Sequence, residues 1–338
     1  MLNRISVLVT FYNQEKYVDR VIKSIIDQKM NFGMKILVGD DGSTDNTQEI
    51  VRKWMKKYPD KIEMHIMNRS PGKHISGFRA SRNRLNLLRY VDTEYFIFLD
   101  GDDYFDYELK LQKQVDILDD YKNKDCVACG HDIDMLYPDG KRVSMSSKKW
   151  REGKYSAKKY WKDMYFHTDT LLIRSCVIPK IDKKILENNF NDNMITFSVI
   201  QQGSVYYIPK SWGVYVQTGD GIWTSEKKVV NQIRNMYMYD LCNIINPRFK
   251  MQTSHRFSNV WLDVFMLRHH INSKELKKYS IEARDKGMVY SYRWIHYQDL
   301  DNVKKFLLLT KTLMECWKVI LKKCLKAVFK LITRIGEK

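Results

Sequence analysis

Asp100, Asp102 and Asp103 fall within four positions at the end of the aromatic run Tyr95-Phe96-Ile97-Phe98-Leu99, with Gly101 between the first two. Such a run reads as a buried strand, and neighbouring carboxylates at its exit repel and raise one another's pKa. A divalent cation is the simplest compensation. Asp100 and Asp102, two apart where a strand ends, point the same way, while Gly101 lets the backbone approach whatever is bound. Hard oxygen ligands of this kind suit Mg2+ or Mn2+, which keep several waters and share their remaining positions with substrate phosphates. The stretch predicts a metal–diphosphate site. Its other reading is an acidic strand-to-helix loop, with Asp103 or Asp106 capping a helix that starts near Glu108.

The elements that must position this turn are legible upstream. Ile5-Ser6-Val7-Leu8-Val9-Thr10 is a β-branched run suited to a buried parallel strand. Asn13 offers a cap for a helix over 15–28 that carries Val18, Val21, Ile22, Ile25 and Ile26 at helical spacing. A second strand over 35–39 ends on another acidic turn, Asp40-Asp41-Gly42-Ser43-Thr44-Asp45, where Ser43 or Asp45 caps the next helix. A third strand covers 62–67, and a helix with Arg79, Arg82, Asn83 and Arg84 leads back to the aromatic run. Strands alternating with helices predict a doubly wound α/β sheet with its ligands at the carboxyl ends of the strands. Both acidic turns fall at such ends. No G-x-G-x-x-G follows the first strand and no G-x-x-x-x-G-K-[ST] occurs, so neither phosphate-binding fingerprint is available.

Four ordered motifs carry a resemblance: Ser6-Val7-Leu8-Val9-Thr10-Phe11-Tyr12-Asn13, Val38-Gly39-Asp40-Asp41-Gly42-Ser43-Thr44-Asp45, Ser81-Arg82-Asn83 and Leu99-Asp100-Gly101-Asp102-Asp103. Over roughly the first 105 residues their order and spacing resemble the family 2 glycosyltransferases, inverting enzymes with the GT-A (Rossmann-like) fold. The resemblance implies that Thr10, Tyr12 and Asp41 or Asp40 hold the nucleotide base, usually uracil. It sets Arg82 near the diphosphate, and Asp100, Gly101 and Asp102 at a D-x-D site for ribose and metal, with Asp102 the more direct ligand. Thr10-Phe11 departs from the family, where proline-threonine is commoner. Bland alternatives stand beside these roles: Tyr12 as a core aromatic, Arg82 as a solvated helix charge, Asp45 as a cap.

Further along, 126–136 reads as a strand whose His131 is a hydrogen-bonded core residue, and Cys126 and Cys129 are ordinary core thiols. Asp139-Gly140 marks a hairpin turn before Arg142. Residues 148–162 form a basic, aromatic patch expected as a surface helix. Thr170-Leu171-Leu172-Ile173 is a further strand, preceded by His167 and Asp169. The order Asn191-Asp192-Asn193-Met194, then Val205-Tyr206-Tyr207-Ile208-Pro209 and Trp212-Gly213-Val214-Tyr215-Val216 as a hairpin-like pair, is similar to the family's glutamate-aspartate motif and the strands after it. Asn191 stands where the family has glutamate. The resemblance makes Asp192 the general base, which removes a proton from a weakly nucleophilic sugar hydroxyl; its alternative role is a helix cap. The glycine-rich stretch around Trp223 can close as a lid, and Asp103, His167 and Trp223 are candidates for acceptor or lid contacts.

The 338 residues allow one large domain with an appendage or two domains, and 44% hydrophobic content supplies a real core. Six cysteines do not form a secreted disulfide framework. The N-terminus lacks the apolar length of a signal peptide, and no uninterrupted apolar run of about 18 residues predicts a membrane span. A cytoplasmic protein, peripheral on the inner face of the cell membrane, is expected. Its organisation reads as a GT-A catalytic domain over 1–224, a helical region over 225–300 and a basic amphipathic helix over 301–338. In that last segment Phe306, Leu313, Trp317, Ile320 and Leu331 share a broad side, while Lys304, Lys311, Lys318, Lys322, Lys323 and Lys326 fill the rest with few acidic partners. Such a helix suits an anionic membrane surface, where each basic group contributes about 1 kcal/mol. Packing on its own domain or self-association would use the same apolar side.

Together these residues predict a metal-dependent inverting glycosyltransferase that moves a sugar from a UDP-sugar to a saccharide acceptor, lipid-linked, in surface polysaccharide synthesis. The net charge of +18 also admits a nucleic-acid-binding protein, but much of the excess sits in the last segment and no nucleic-acid module is present, so none is expected as a partner. A catalytically inactive scaffold is the other alternative. If 303–338 binds membrane, its removal releases the protein from vesicles of anionic lipid while donor hydrolysis persists. Vesicle binding by the full chain should weaken as salt screens the charge. Salt-insensitive binding in a flotation assay would count against the electrostatic part.

Overall fold

A computed structural model describes residues 1–68, 78–145, 150–163, 166–187, 191–218, 227–249 and 270–295, with a few positions between 259 and 267. Trp223 and the basic segment over 301–338 lie outside the described residues. The chain divides into two compact units, Met1–Tyr160 with Tyr165–Ser225, and Trp161–Met164 with Glu226–Lys338.

The first unit is mixed α/β, built on a 10-stranded sheet. Its parallel half comprises β1 (Asn3–Phe11), β2 (Gly33–Asp40), β3 (Ile62–Ile66) and β4 (Tyr95–Asp100), in the order β3-β2-β1-β4. Helices α1 (Val18–Ile26), α2 (Thr47–Lys57) and α3 (Phe78–Leu88) make the crossovers. The chain winds outward from β1 to β3 and then returns to the other side of β1 as β4. The reversal falls between β1 and β4, where a doubly wound sheet opens its ligand crevice. Ile5, Val7, Leu8, Val9, Ile97, Phe98 and Leu99 are each at most 1% exposed. Burying such a side chain contributes about 1.5–3 kcal/mol, which explains why these runs show no polar alternation.

The sheet continues through short and antiparallel pieces. β5 (Tyr104–Phe105) follows the acidic turn, and α4 (Lys110–Asp119) leads to β6 (Cys126–Leu136). β7 (Arg142–Ser144) pairs back on β6 across a turn in which Gly140 has φ 80°, the hairpin expected from Asp139-Gly140. β8 (Gly153–Tyr155) and α5 (Ala157–Asp163) occupy much of the stretch read as one surface helix. β9 (Leu172–Arg174) pairs with β4 and β6, α6 (Lys183–Glu187) follows, and α7 (Asp192–Ile200) precedes β10 (Ser204–Val216).

Four local expectations need correction. The hairpin-like pair over 205–216 is one long strand, parallel to β6, whose register shifts between Ile208 and Ser211 and again before Val214. Pro209 lacks an N–H and Gly213 weakens pairing, so a bulged strand accommodates them without a turn. Asn13 does not cap α1: it has φ 49°, and its backbone N–H and Oδ1 bond to Ser43 and Thr44. Neither Asp103 nor Asp106 caps α4, because Asp103 is buried against Val216 and Asp106 pairs with Arg142. Tyr12 is 41% exposed and no core aromatic. The α2 N-cap is Asn46, and Asp45, one residue earlier, supports the helix start with its Oδ1 accepting from the Thr47 N–H at 3.0 Å. Cys126 and Cys129 are buried free thiols, and His131 is a buried residue whose Nδ1 lies 2.6 Å from the Asp132 carbonyl.

The second unit contains α8 (Lys228–Ile245), α9 (Ser273–Asp285) and α10 (Val289–Ile295). A buried carboxylate joins two of them: Asp240 Oδ2 accepts from both the backbone N–H and the hydroxyl of Ser291 at 2.6 Å. Among the described residues no helix is long and apolar enough to cross a membrane.

One core feature has a measurable consequence. Lys110 is 0% exposed; its ammonium donates to Gln114 Oε1 at 2.9 Å and lies 4.1 Å from the Phe105 ring centroid. Burial pulls its pKa from 10.5 down to about 7. Because the folded value lies below the unfolded one, the penalty is full below about pH 7 and fades as pH rises towards 10.5. Lys110→Met should therefore raise Tm relative to wild type most near pH 6 and progressively less towards pH 9.5. A thermal-unfolding series over that range reads the trend, and a pH-independent difference would show that the ammonium is not desolvated.

Candidate active site at the strand ends

The carboxyl ends of β1, β2 and β4 lie level, with Thr10 opposite Gly39 on one side and Asp100 on the other. Two glycines permit this close packing. A Cβ on Gly101 would come 2.3 Å from Gln14 Oε1 and 2.6 Å from the Thr10 carbonyl, so the turn can lie against β1 only without a side chain there. Approach to a ligand was the sequence-based reason for Gly101; the protein's own backbone supplies another. A Cβ on Gly39 would likewise meet Asn83 Oδ1 at 2.2 Å. Asn83 Nδ2 donates to the Gly39 carbonyl at 2.8 Å, which fixes α3 against the end of β2.

The two acids after β2 have separate tasks. Asp40 accepts from the Gly42 and Ser43 N–H groups, the Ser43 hydroxyl and Gln48, and so holds its own turn together. Asp41 takes the guanidinium of Arg79, whose Nε lies 2.8 Å from both carboxylate oxygens. Tyr12, exposed beside this turn, presents an aromatic face of the kind that stacks on a base. Arg82 lies on the exposed side of α3.

Arg84, two residues further on, is 7% exposed. Its Nη2 donates to Asp100 Oδ1 at 2.5 Å, and its Nη1 lies 3.2 Å from Asp192 Oδ1. Burial opposes the charge on Arg84, but Asp100 and Asp192 more than offset this and hold its pKa above the ordinary guanidinium value. The cap of α7 is Asn191, whose Oδ1 accepts from the Met194 N–H at 3.1 Å. Asn191 therefore does the capping, and the Asp192 carboxylate is left for Arg84. Burial alone would raise the Asp192 pKa, yet Arg84, His167 and the Thr168 hydroxyl pull it below the usual carboxylate range.

The other acids at the turn are less fully compensated. Burial and the neighbouring Asp100 carboxylate push Asp102 up to about 7, and no Lys or Arg side chain is paired with it among the described residues. Its backbone carbonyl is held by Arg20 Nη2 at 2.9 Å. Asp103 is fully buried, with Oδ1 accepting from the Val216 N–H at 2.8 Å. Burial and the adjacent Asp169 carry Asp103 well above the carboxylate range, and burial raises Asp169 to about 6. Close carboxyls disfavour each other's ionised form in this way. His167 Nδ1 lies 3.7 Å from Asp169 Oδ2, and its ring packs against Tyr215.

A divalent cation fits at Asp100 and Asp102. The donors are hard oxygens, and no Lys or Arg is paired with Asp102 among the described residues. Asp103, His167 and Asp169 also bring one ligand atom each within 4.8 Å of one another. Asp103 Oδ1 accepts from the Val216 N–H and Asp169 Oδ2 from the Asp100 N–H at 3.4 Å, so one oxygen of each acid braces the backbone behind the turn. Arg79, Arg84 and Asp169 were not singled out from sequence. Nothing local marks them, because their partners belong to other elements.

The family described as glycosyl transferase family 2 matches residues 6–181, more than half of the chain. The chain belongs to that family. An uncharacterized protein of Mycobacterium tuberculosis is 26% identical over 230 residues, 65% of this chain and 60% of its own length. The chain thus spans about 60% of the length of the first curated relatives it matches. Among solved structures, S. aureus TarS 1-349 in complex with UDP superposes with a TM-score of 0.60 at 15% identity, covering 93% of this chain and 91% of that one. The mannosyltransferase PcManGT from Pyrobaculum calidifontis, in complex with GDP-Man and Mn2+, gives 0.52 at 15% identity, covering 96% and 88%. At these identities the two structures show the fold, which is that of GT-A glycosyltransferases.

The glycine geometry yields a specific expectation for this family member. Gly101→Ala must displace Gln14 or the end of β1, so Tm should fall by several degrees and nucleotide binding should weaken together with it. Thermal unfolding and UDP titration check both. Unchanged Tm would mean that the turn does not lie against β1 as described.

Proposed function

We propose that this family member is an inverting, metal-dependent glycosyltransferase that transfers a sugar from a UDP-sugar to a hydroxyl of a saccharide acceptor, lipid-linked, in surface polysaccharide synthesis. The observation that carries the reading is the opposite tuning of two acids linked through the Arg84–Asp100 pair. Asp102 is pushed up to about 7 without a paired cation, whereas Asp192 is held ionised. Environments that drive two carboxyls apart assign them different chemical tasks.

In this reading the base of the donor stacks on Tyr12 beside Thr10 and Asp41, and its diphosphate lies at the Asp100-Gly101-Asp102 turn. Mn2+ or Mg2+, when bound by Asp102 with Asp100, supplies charge neutralisation for the leaving nucleoside diphosphate. Asp192 accepts the proton of the acceptor hydroxyl as its oxygen attacks the anomeric carbon and the bond to the diphosphate breaks. The sheet edge contributes by holding donor and acceptor in attack geometry. UDP in the TarS complex and Mn2+ in the PcManGT complex support the donor class and the metal. A membrane-bound acceptor suits the basic amphipathic sequence over 301–338, and attachment to the inner membrane face follows from the same feature.

A screen of nucleotide sugars with Mn2+ or Mg2+, read by release of nucleoside diphosphate, tests the donor class. Within it, Asp102→Asn should remain folded yet lose metal-dependent turnover, since it removes a charged ligand. Asp192→Asn should lower kcat for transfer by roughly 10²-fold or more with donor affinity nearly unchanged. Normal turnover in the first variant overturns the metal assignment, and loss of donor binding in the second makes Asp192 a donor contact instead of the base.

A further inference from the structure

The Arg84 side chain joins two places that the chemistry keeps apart. One nitrogen of its fork holds Asp100, on the donor side at the end of β4, and the other reaches Asp192, at the first turn of α7. The guanidinium is planar, so pairing with both carboxylates fixes their mutual orientation as well as their charge. Its own position is set independently of either acid, because the preceding residue, Asn83, anchors α3 to the Gly39 carbonyl. Asp192 in turn is freed to point at Arg84 because Asn191 takes over the helix cap. A lysine would bring a point charge on a flexible stem and could not hold both acids in one plane.

We propose that Arg84 is a positioning residue for the transfer step: it orients Asp192 towards the acceptor hydroxyl and locks that orientation to the donor-side carboxylate Asp100. It touches neither substrate in this role and acts through Asp192. The proposal rests on the reading of Asp192 as the base and extends it to the group that aims it. Exposed Arg82 lacks this geometry, so a substitution there leaves the orientation of Asp192 unaltered.

The test is a double-mutant cycle on the full chain with nucleotide sugar, Mn2+ and a saccharide acceptor, reading kcat for transfer, donor KM and UDP affinity. Arg84→Gln should lower kcat at least about 30-fold while UDP affinity changes less than threefold. Arg84→Lys should recover part of that loss. Arg84→Gln combined with Asp192→Asn should be no slower than Asp192→Asn alone, because the arginine has nothing left to aim. Multiplicative losses in the double variant overturn the proposal, as does a donor affinity that falls in step with kcat, which would make Arg84 a diphosphate contact. Full activity in Asp192→Asn itself defeats the base reading, an outcome visible without any Arg84 variant. Should Arg84→Gln fail to fold, Arg84→Lys with and without Asp192→Asn carries the same cycle.

Discussion

A cluster of partly and fully buried carboxyls at the β1/β4 reversal is the constraint from which the rest of this site follows. Asp100, Asp102, Asp103, Asp169 and Asp192 converge there, and Arg84 is the buried cation that pairs with two of them. Desolvated carboxylates cannot stay ionised side by side without compensation. The protein resolves the conflict differently for each. Asp100 and Asp192 share a guanidinium, Asp103 and Asp169 are pushed towards their neutral forms by burial, and Asp102 has no Lys or Arg paired with it among the described residues. The proposed metal–diphosphate site draws on that one acid without a paired cation.

That arrangement costs stability, and the surrounding packing offsets it. The aromatic and aliphatic strands behind the acids are almost wholly inaccessible to water. Contacts from several elements hold the turn's backbone: Arg20 on the Asp102 carbonyl, Val216 on Asp103, and Thr10, Phe11 and Gln14 closing around Gly101. Removing one partner of a buried ion pair typically costs about 3–5 kcal/mol, so the acids and their braces are interdependent. Catalytic precision at such a site derives from this rigidity, since a reacting group misplaced by even an ångström loses much of its effect.

Much of this was legible in the chain, and the reason differs from part to part. Strand and helix order could be read because β-branched and aromatic runs have only one stable use in a parallel sheet. The acidic turns could be read because Asp40, Asp41, Asp100 and Asp102 stand together in sequence. The pairing of Arg84 with Asp192 could not, because it joins α3 to α7 across the fold and leaves no periodic trace. Arg82, an equally basic neighbour on the same helix, has its expected place near the diphosphate from the motif alone. The bulged strand over 204–216 was mistaken for a hairpin because Pro209 is a turn signal in isolation, and only the register with β6 decides otherwise.

At position 191 the departure from the family pattern has a local electrostatic consequence. A glutamate before the aspartate would add another negative charge near acids already crowded together. Asparagine adds none, and its side-chain oxygen is among the best helix caps. With Asn191 satisfying the Met194 N–H, the Asp192 carboxylate does not have to cap the helix and turns to Arg84. Of the two roles open for Asp192 from sequence, the cap is taken by its neighbour Asn191. An apparent loss in the motif is, in local electrostatic terms, a specialisation of its two positions.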